Sequence, residues 1–414
     1  MQSCKSPTAP NNYRLNLSIT DVSCTEAWIK LAVNSNIPLP TKIVINRNGN
    51  NLFSFKLASR DTTVYDSTLL PNQSYTYQAE YDKGYPTERS ETVTAKTMDT
   101  TSNNFTFQTF TFGASNAGSS HLQDVAIIND TDIWCVGAVY LDSANGAPDP
   151  FPYNVVHWNG KNWNLLKVPY YYQGKAFYSP IYSVYAFNAN DIWFEAGIHW
   201  NGSQFETVPL NIDFTSHVNK IWGTSDNDLY IVGNNGLIAR KSGDGTWQKI
   251  ESGVTFNITD IYGVQNTSDN SSTIFMPLYN NENSLTGSAL LRLTGNRAEI
   301  ISTPQNLFEA QSVWAKNNNI VYLAGTGLFI NAYGKWMEEK EFTMKSLTGI
   351  RAHGLNDIFV IGSTRSGHFN GKRWTIYNEL NLPNGVYSSI DFKSNMVIMA
   401  GYKGSSAIVT IGKR

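Results

Sequence analysis

The chain is short of charge, of sulfur and of long apolar runs, and each shortage removes a class of explanation. Charged residues make up 15% of its 414 residues, well below the ~25% of ordinary globular proteins. Its 31 basic and 33 acidic side chains nearly cancel, leaving a net charge of −2. No Lys/Arg run or basic stripe occurs. The phosphate-neutralising contribution that drives nucleic-acid binding therefore has no source, and no nucleic-acid partner is expected. No apolar stretch reaches the roughly 18 residues that cross a bilayer. The three cysteines, Cys4, Cys24 and Cys135, are too few and too scattered for a disulfide framework or a metal-ligand spacing. Cys24 and Cys135 lie in strand-like runs and are expected to be buried free thiols.

Aromatic residues, by contrast, are abundant: 11 Trp, 22 Tyr and 20 Phe. Together with many Asn, Ser, Thr and Gly they suit short strands joined by tight turns, because aromatic and β-branched side chains pack on a pleated surface while Asn and Gly favour turns. The length exceeds what one hydrophobic core serves, so at least two domains are expected.

Residues 1–10 read as a tail. Cys4, preceded by Ser3 and followed by a polar, Pro-containing stretch, resembles the mature start of a bacterial lipoprotein. A lipid anchor there would be the only membrane attachment. The other reading is a cysteine in a frayed terminus.

Residues 11–98 contain seven strand candidates, among them Glu26–Val33, Thr41–Arg47 and Ser74–Tyr81, separated by breakers such as Asn48-Gly49. That count fits a sandwich. The run from Leu69 through Pro71 to Tyr75 resembles the fibronectin type III (FnIII) Leu-x-Pro-x-x-x-Tyr motif. The resemblance implies an immunoglobulin-like sandwich in which the Tyr75 hydroxyl bonds back to the preceding turn and Trp28 is the core Trp of the second strand. Residues 99–104 are polar and read as a linker.

Residues 105–414 repeat themselves. Asn129-Asp130-Thr131-Asp132-Ile133-Trp134 recurs as Asn188-Ala189-Asn190-Asp191-Ile192-Trp193, as Asp226-Asn227-Asp228-Leu229-Tyr230, and as Asn356-Asp357-Ile358-Phe359. Asn-Gly hairpins follow at Asn159-Gly160, Asn201-Gly202 and Asn370-Gly371. Each unit reads as four strands over about 40–50 residues, the size of a propeller blade, and seven unit openings can be counted. The last unit has only three strands. The orphan strand at 105–112 is therefore expected to complete it and close a seven-bladed β-propeller, since an open ring would leave exposed sheet edges. The fold class expected is all-β: an FnIII sandwich followed by this propeller. The repeats resemble BNR/YCF48-like, sialidase-like bacterial propellers of the secreted Bacteroidetes/Ignavibacteria type. The segment from Ser242 to Trp247 is one residue short of their Asp-box. No arginine trio of the sialidase kind accompanies it.

Chemistry has few candidates. Asp130-x-Asp132 and Asp226-x-Asp228 mimic a metal–nucleotide-sugar motif, but they fall in the repeated turn and read as Asx-turns. His157, His199 and His368 start equivalent strands on separate units and cannot converge on one metal. The loop 138–153 and the connection 169–178 are unusually long. Tyr170, Tyr171, Tyr172, Phe177 and Tyr178 form a candidate stacking platform, with Asp142 and Asp149 as hydroxyl ligands. Tyr279, in another long loop, is placed at the same rim. A Ca²⁺ site from Asp142, Asn145 and Asp149 is the one cofactor considered. The channel mouth is expected to present His121, Ser179, His217, Asn257, Glu309, Lys345 and Tyr387, with Glu309, His121 and His217 as acid/base residues if a bond is broken.

The function expected is a secreted or cell-surface, non-catalytic protein binding a glycan or a surface protein. The alternatives are a carbohydrate-active hydrolase or lyase and a structural subunit of an extracellular assembly.

Overall fold

The structure is a computed structural model. It describes residues 15–81, 87–114, 116–210, 216–243, 245–266, 271–279 and 288–414, with backbone alone at Tyr172 and Ala196. Cys4 and the central Asp244 of the near-Asp-box lie outside the described residues. The described residues form no α-helix, only strands and four short 3-10 turns. The chain divides into two compact units with a boundary between Thr101 and Ser102.

The first unit pairs two antiparallel sheets. Leu15–Val22, Ala27–Val33 and Asp61–Asp66 form one. Asn50–Leu57, Thr41–Arg47, Ser74–Tyr81, Glu88–Arg89 and Val93–Lys96 form the other. Strand alternation sends Ile29, Leu31, Ile43, Ile45, Tyr77 and Ala79 into one shared core. The Tyr75 hydroxyl accepts the Leu70 N–H at 2.9 Å, joining the strand to the turn before it. Trp28 is buried, at 5% exposure, but lies outside that core cluster. Its neighbours Ala27 and Ile29 face the core, so Trp28 points to the opposite face, where it packs on Tyr65 with ring centroids 5.5 Å apart.

The second unit contains seven antiparallel sheets of four strands each, the fourth sheet having its first strand in two pieces, Asn257–Ile258 and Tyr262–Gln265. The other first strands are His121–Asn129, Val184–Asn188, Val218–Ser225, Ser312–Asn317, Leu347–Gly354 and Gly385–Lys393. Each first strand packs beside that of the next sheet, and the seventh packs beside the first. The seventh sheet takes its fourth strand from upstream: Thr106–Phe112 pairs antiparallel with Ser406–Lys413, in register from Thr106↔Lys413 to Phe112↔Ala407. Phe105 leaves that strand and is buried against Phe359 and Tyr377. Cys24 and Cys135 are free and buried, and burial pushes both thiols up.

The repeated turn works differently from the Asx-turn reading of its aspartates. The preceding Asn makes the turn: Asn129 and Asn188 accept the N–H two residues on. The aspartates instead reach across to the third strand. Asp132 bonds His157, Asp191 bonds His199, Asp228 bonds Arg240 and Asp357 bonds His368, at 2.7–2.9 Å. Each cation or imidazole lies opposite an aromatic: Trp134, Trp193, Tyr230 and Phe359. These side chains hold sheets together and take no part in a shared centre.

Candidate functional site

The site follows from a flaw in strand alternation that recurs around the ring. Each first strand opens with a buried apolar residue, then two channel-facing residues, then a buried Val or Ile. The seven copies are Leu122-Gln123-Asp124-Val125, Ile181-Tyr182-Ser183-Val184, Val218-Asn219-Lys220-Ile221, Ile258-Thr259-Asp260-Ile261, Ala310-Gln311-Ser312-Val313, Leu347-Thr348-Gly349-Ile350 and Tyr387-Ser388-Ser389-Ile390. Apolar residues three apart cannot share a face of a regular strand. One extra residue must bulge out. The register shifts at Gln123, Asn219, Thr348 and Ser388 are those bulges. Opposite the bulge the second strand carries glycine, because the bulged strand's backbone presses on it. A Cβ at Gly137 would stand 2.2 Å from the His121 carbonyl, and one at Gly401 would stand 2.0 Å from that of Val386.

The first channel-facing residue of every copy opens into one bowl, four of them at a bulge: Gln123, Tyr182, Asn219, Thr259, Gln311, Thr348 and Ser388 all line a cavity of about 370 Å³. Asn234, Asn257 and Tyr279 complete its wall. All are neutral and polar. Asn219 donates to Asn234 at 2.8 Å and to the Ile258 carbonyl at 2.9 Å. The side chains of Gln123, Gln311, Ser388, Tyr182 and Tyr279 make no hydrogen bond to a described residue and remain free for a ligand.

The next residue of each copy forms the floor, and here charge is fully committed. The Asp124 carboxylate takes the Lys220 ammonium, the Ser389 hydroxyl at 2.7 Å, the Ser183 hydroxyl at 3.1 Å and the Val184 N–H at 3.0 Å. Asp260 takes Arg351 through two bonds of 2.8 and 2.9 Å, with the Ser312 hydroxyl at 2.6 Å and the Val313 N–H at 3.2 Å. Ser183 and Ser312 in turn accept the N–H groups of Ile221 and Ile350. These bonds tie the first sheet to the second, third and seventh, the second to the third, the fourth to the fifth and sixth, and the fifth to the sixth. Burial alone would raise Asp260, but the Arg351 guanidinium outweighs it and holds the carboxyl below its ordinary value. Deeper still, burial pushes the Asp391 carboxyl up, despite N–H bonds from Ile127 and Phe392 at 2.8 Å.

The expected acid/base residues are elsewhere. Of the mouth residues read from sequence, only Asn257 lines the bowl. His121, His217 and Glu309 lie on three different sheets, each two residues before the side chain that lines the bowl, and Tyr387 is buried with its hydroxyl on Thr410. Burial pushes both His121 and His217 down. Glu195 is the titratable group that sequence reasoning missed. It sits among Trp193, Phe194, Leu210 and Val218, where burial pushes its carboxyl up to about 8 although it accepts the Tyr182 N–H.

The aromatic platform is a hairpin, Tyr170–Tyr172 paired with Lys175–Phe177. Tyr171 and Phe177 are exposed, at 53% and 43%, and Tyr178 packs on Phe151 with centroids 5.7 Å apart. Tyr170 is turned inward against the core. None of these lines the bowl; of the proposed rim residues only Tyr279 does. In the calcium trio, the oxygens of Asp149 and Asn145 already have protein partners. Asp149 is held by Lys167 and the Phe151 N–H, which lower its carboxyl, and the Asn145 amide oxygen accepts the Ala147 N–H. Asp142 is exposed, its backbone bridged to Pro148. No group of three His, Cys, Asp or Glu side chains able to hold a metal exists among the described residues.

No family model matches the chain, and no curated protein does. Solved structures do. YCF48 bound to a D1 peptide is 13% identical, with a TM-score of 0.53, covering 74% of this chain and 97% of that one. The WD40 propeller domain of Doa1 is 14% identical with a TM-score of 0.51, covering 76% of this chain and 98% of that one. The extracellular domain of a putative one-component system from B. thetaiotaomicron is 15% identical with a TM-score of 0.52, covering 73% of this chain and 40% of that one. The fold shared with these structures is that of a β-propeller.

Proposed function

We propose that this is a non-catalytic binding protein of the cell surface or extracellular space. In this reading the seven sheets are the blades of one propeller closed by Thr106–Phe112, and the bowl at its channel mouth holds a glycan or protein partner. The N-terminal unit is an FnIII-like spacer, and Cys4 is a lipid anchor. One observation carries the reading: the bowl offers unengaged neutral polar groups, while the carboxylates beneath it are tied up by cations, hydroxyls and N–H groups. Acid/base catalysis needs a carboxyl or imidazole free to exchange a proton with substrate, and neither Asp124 nor Asp260 is free. Two similar propellers support the same reading, one solved with a peptide and one an extracellular domain. The test is retention of partners from glycan and peptide arrays by the immobilised full chain, with product analysis of every retained glycan. Retention that is lost in Gln311→Ala, without product, is expected. Release of cleaved product would overturn the reading.

A further inference from the structure

Resting on that binding reading, we propose that the bowl recognises the end of an uncharged saccharide chain. The choice follows from what the wall can and cannot satisfy. Its charged members are Lys220, Asp260 and Arg351, and each already has its counter-ion within the floor. An acidic sugar or a phosphate would enter a low-dielectric cup with no free cation to meet it. A cationic group would find no free carboxylate. Either would lose hydration without compensation.

A peptide fares little better. Peptide recognition relies on apolar pockets for side chains or on a free sheet edge. The only aliphatic side chain among the described lining residues is Ile390. The innermost strands are the edges of their sheets, but the edge N–H groups of Val184, Ile221, Val313 and Ile350 are already taken by Asp124, Ser183, Asp260 and Ser312. A free peptide terminus would also bring an unmatched charge.

Sugar hydroxyls suit the wall that is present. Each hydroxyl donates one hydrogen bond and accepts others, and a carboxamide offers a donor and an acceptor side by side. Among the described residues, Gln123 and Gln311 are such carboxamides with no hydrogen-bond partner, and the Ser388 hydroxyl likewise has none. Tyr182 and Tyr279 add ring faces for the C–H face of a sugar ring and hydroxyls for its edge. The Tyr182 ring is steadied edge-on by His217, with centroids 4.2 Å apart. The cavity lies near the lower end of the ~300–1,000 Å³ range of small-ligand sites, which favours a chain end over a long internal segment.

The test is calorimetric titration of the full chain with uncharged gluco-, manno-, galacto- and N-acetylglucosamine oligosaccharides. Their uronic and sulfated counterparts and an end-capped peptide library are run beside them. Expected is saturable binding of an uncharged oligosaccharide, with affinity unchanged from low to high salt because no ion pair forms. In the Gln123→Ala/Gln311→Ala double variant that affinity should fall about tenfold or more, roughly the loss of 1.4 kcal/mol or more, at an unchanged melting temperature. Binding of acidic sugars or peptides alone, or wild-type affinity in the double variant, would overturn the saccharide assignment and leave the binding reading standing. No binding in any arm would sink both.

Discussion

The two mouths of the channel are built from the same first strands and share Lys220, Arg351 and Ile390, yet they present different chemistry. The bowl is walled by carboxamides and hydroxyls. The cavity beyond the floor, about 300 Å³, is walled largely by Val125, Ala126, Ile127, Trp222, Tyr262 and Phe392. Past the bulge the strands pair for a few residues before a second register shift near their ends. At the bulge, one extra residue turns a polar side chain into the opening. A backbone irregularity recorded in four of the seven first strands therefore accompanies a change from a wall of neutral polar side chains to one with more apolar side chains. The charged floor between them is a structural layer, because its groups are spent on one another.

If that division is right, floor and rim variants should fail in different ways. The largest effect belongs to Asp260→Asn, which strands the buried Arg351 guanidinium. A loss of about 3–5 kcal/mol of stability is expected by denaturant titration. Asp260 is held below its ordinary pKa, so its contribution is present above the unfolded carboxylate value. It is lost as pH falls through the lower folded one. A wild-type-like midpoint in this variant would mean the floor is not what joins the sheets.

Next is the bulge itself. Gly401→Ala places a methyl against the Val386 carbonyl and should cost about 1–3 kcal/mol, as overpacking does. Gly404→Ala, with nothing within 4 Å of its Cβ, isolates the cost of a positive φ alone.

Glu195 gives a smaller, pH-dependent signal. Its carboxyl, raised by burial to about 8, keeps its proton in the fold where the unfolded chain has released it. The folded state then binds more protons, so stability falls as pH rises from about 5 through about 8. Relative to Glu195→Gln, the wild type should lose stability over that span, by roughly 1.4 kcal/mol for each unit by which burial raises the pKa. A parallel pH dependence in the two proteins would remove Glu195 from its assigned environment. The smallest stability change, within about 0.5 kcal/mol, is expected for Gln311→Ala at the rim, measured by thermal melting.

Much of this architecture was readable beforehand. The repeated Asp-Ile-Trp and Asn-Gly signals located the second and third strands, because turn chemistry is local. The pairing of 106–112 with the final sheet was also expected, since an odd strand at each end leaves two edges to satisfy. The bowl was missed. His121, Glu309 and Tyr387 were expected at the mouth from their place just before each first strand, and the lining begins one or two residues later, at Gln123, Gln311 and Ser388. The signal was present: an apolar residue, two others and a Val or Ile, seven times over.

The sequence by itself determined the strand-and-turn content, the repeat, the near-neutral charge and the identity of every floor and rim side chain. Which of those side chains meet was settled only by the folded ring. Asp124 and Lys220, like Asp260 and Arg351, belong to sheets far apart in the chain. Their attraction is strong only once neighbouring first strands converge and exclude water around them, and no local pattern encodes that convergence.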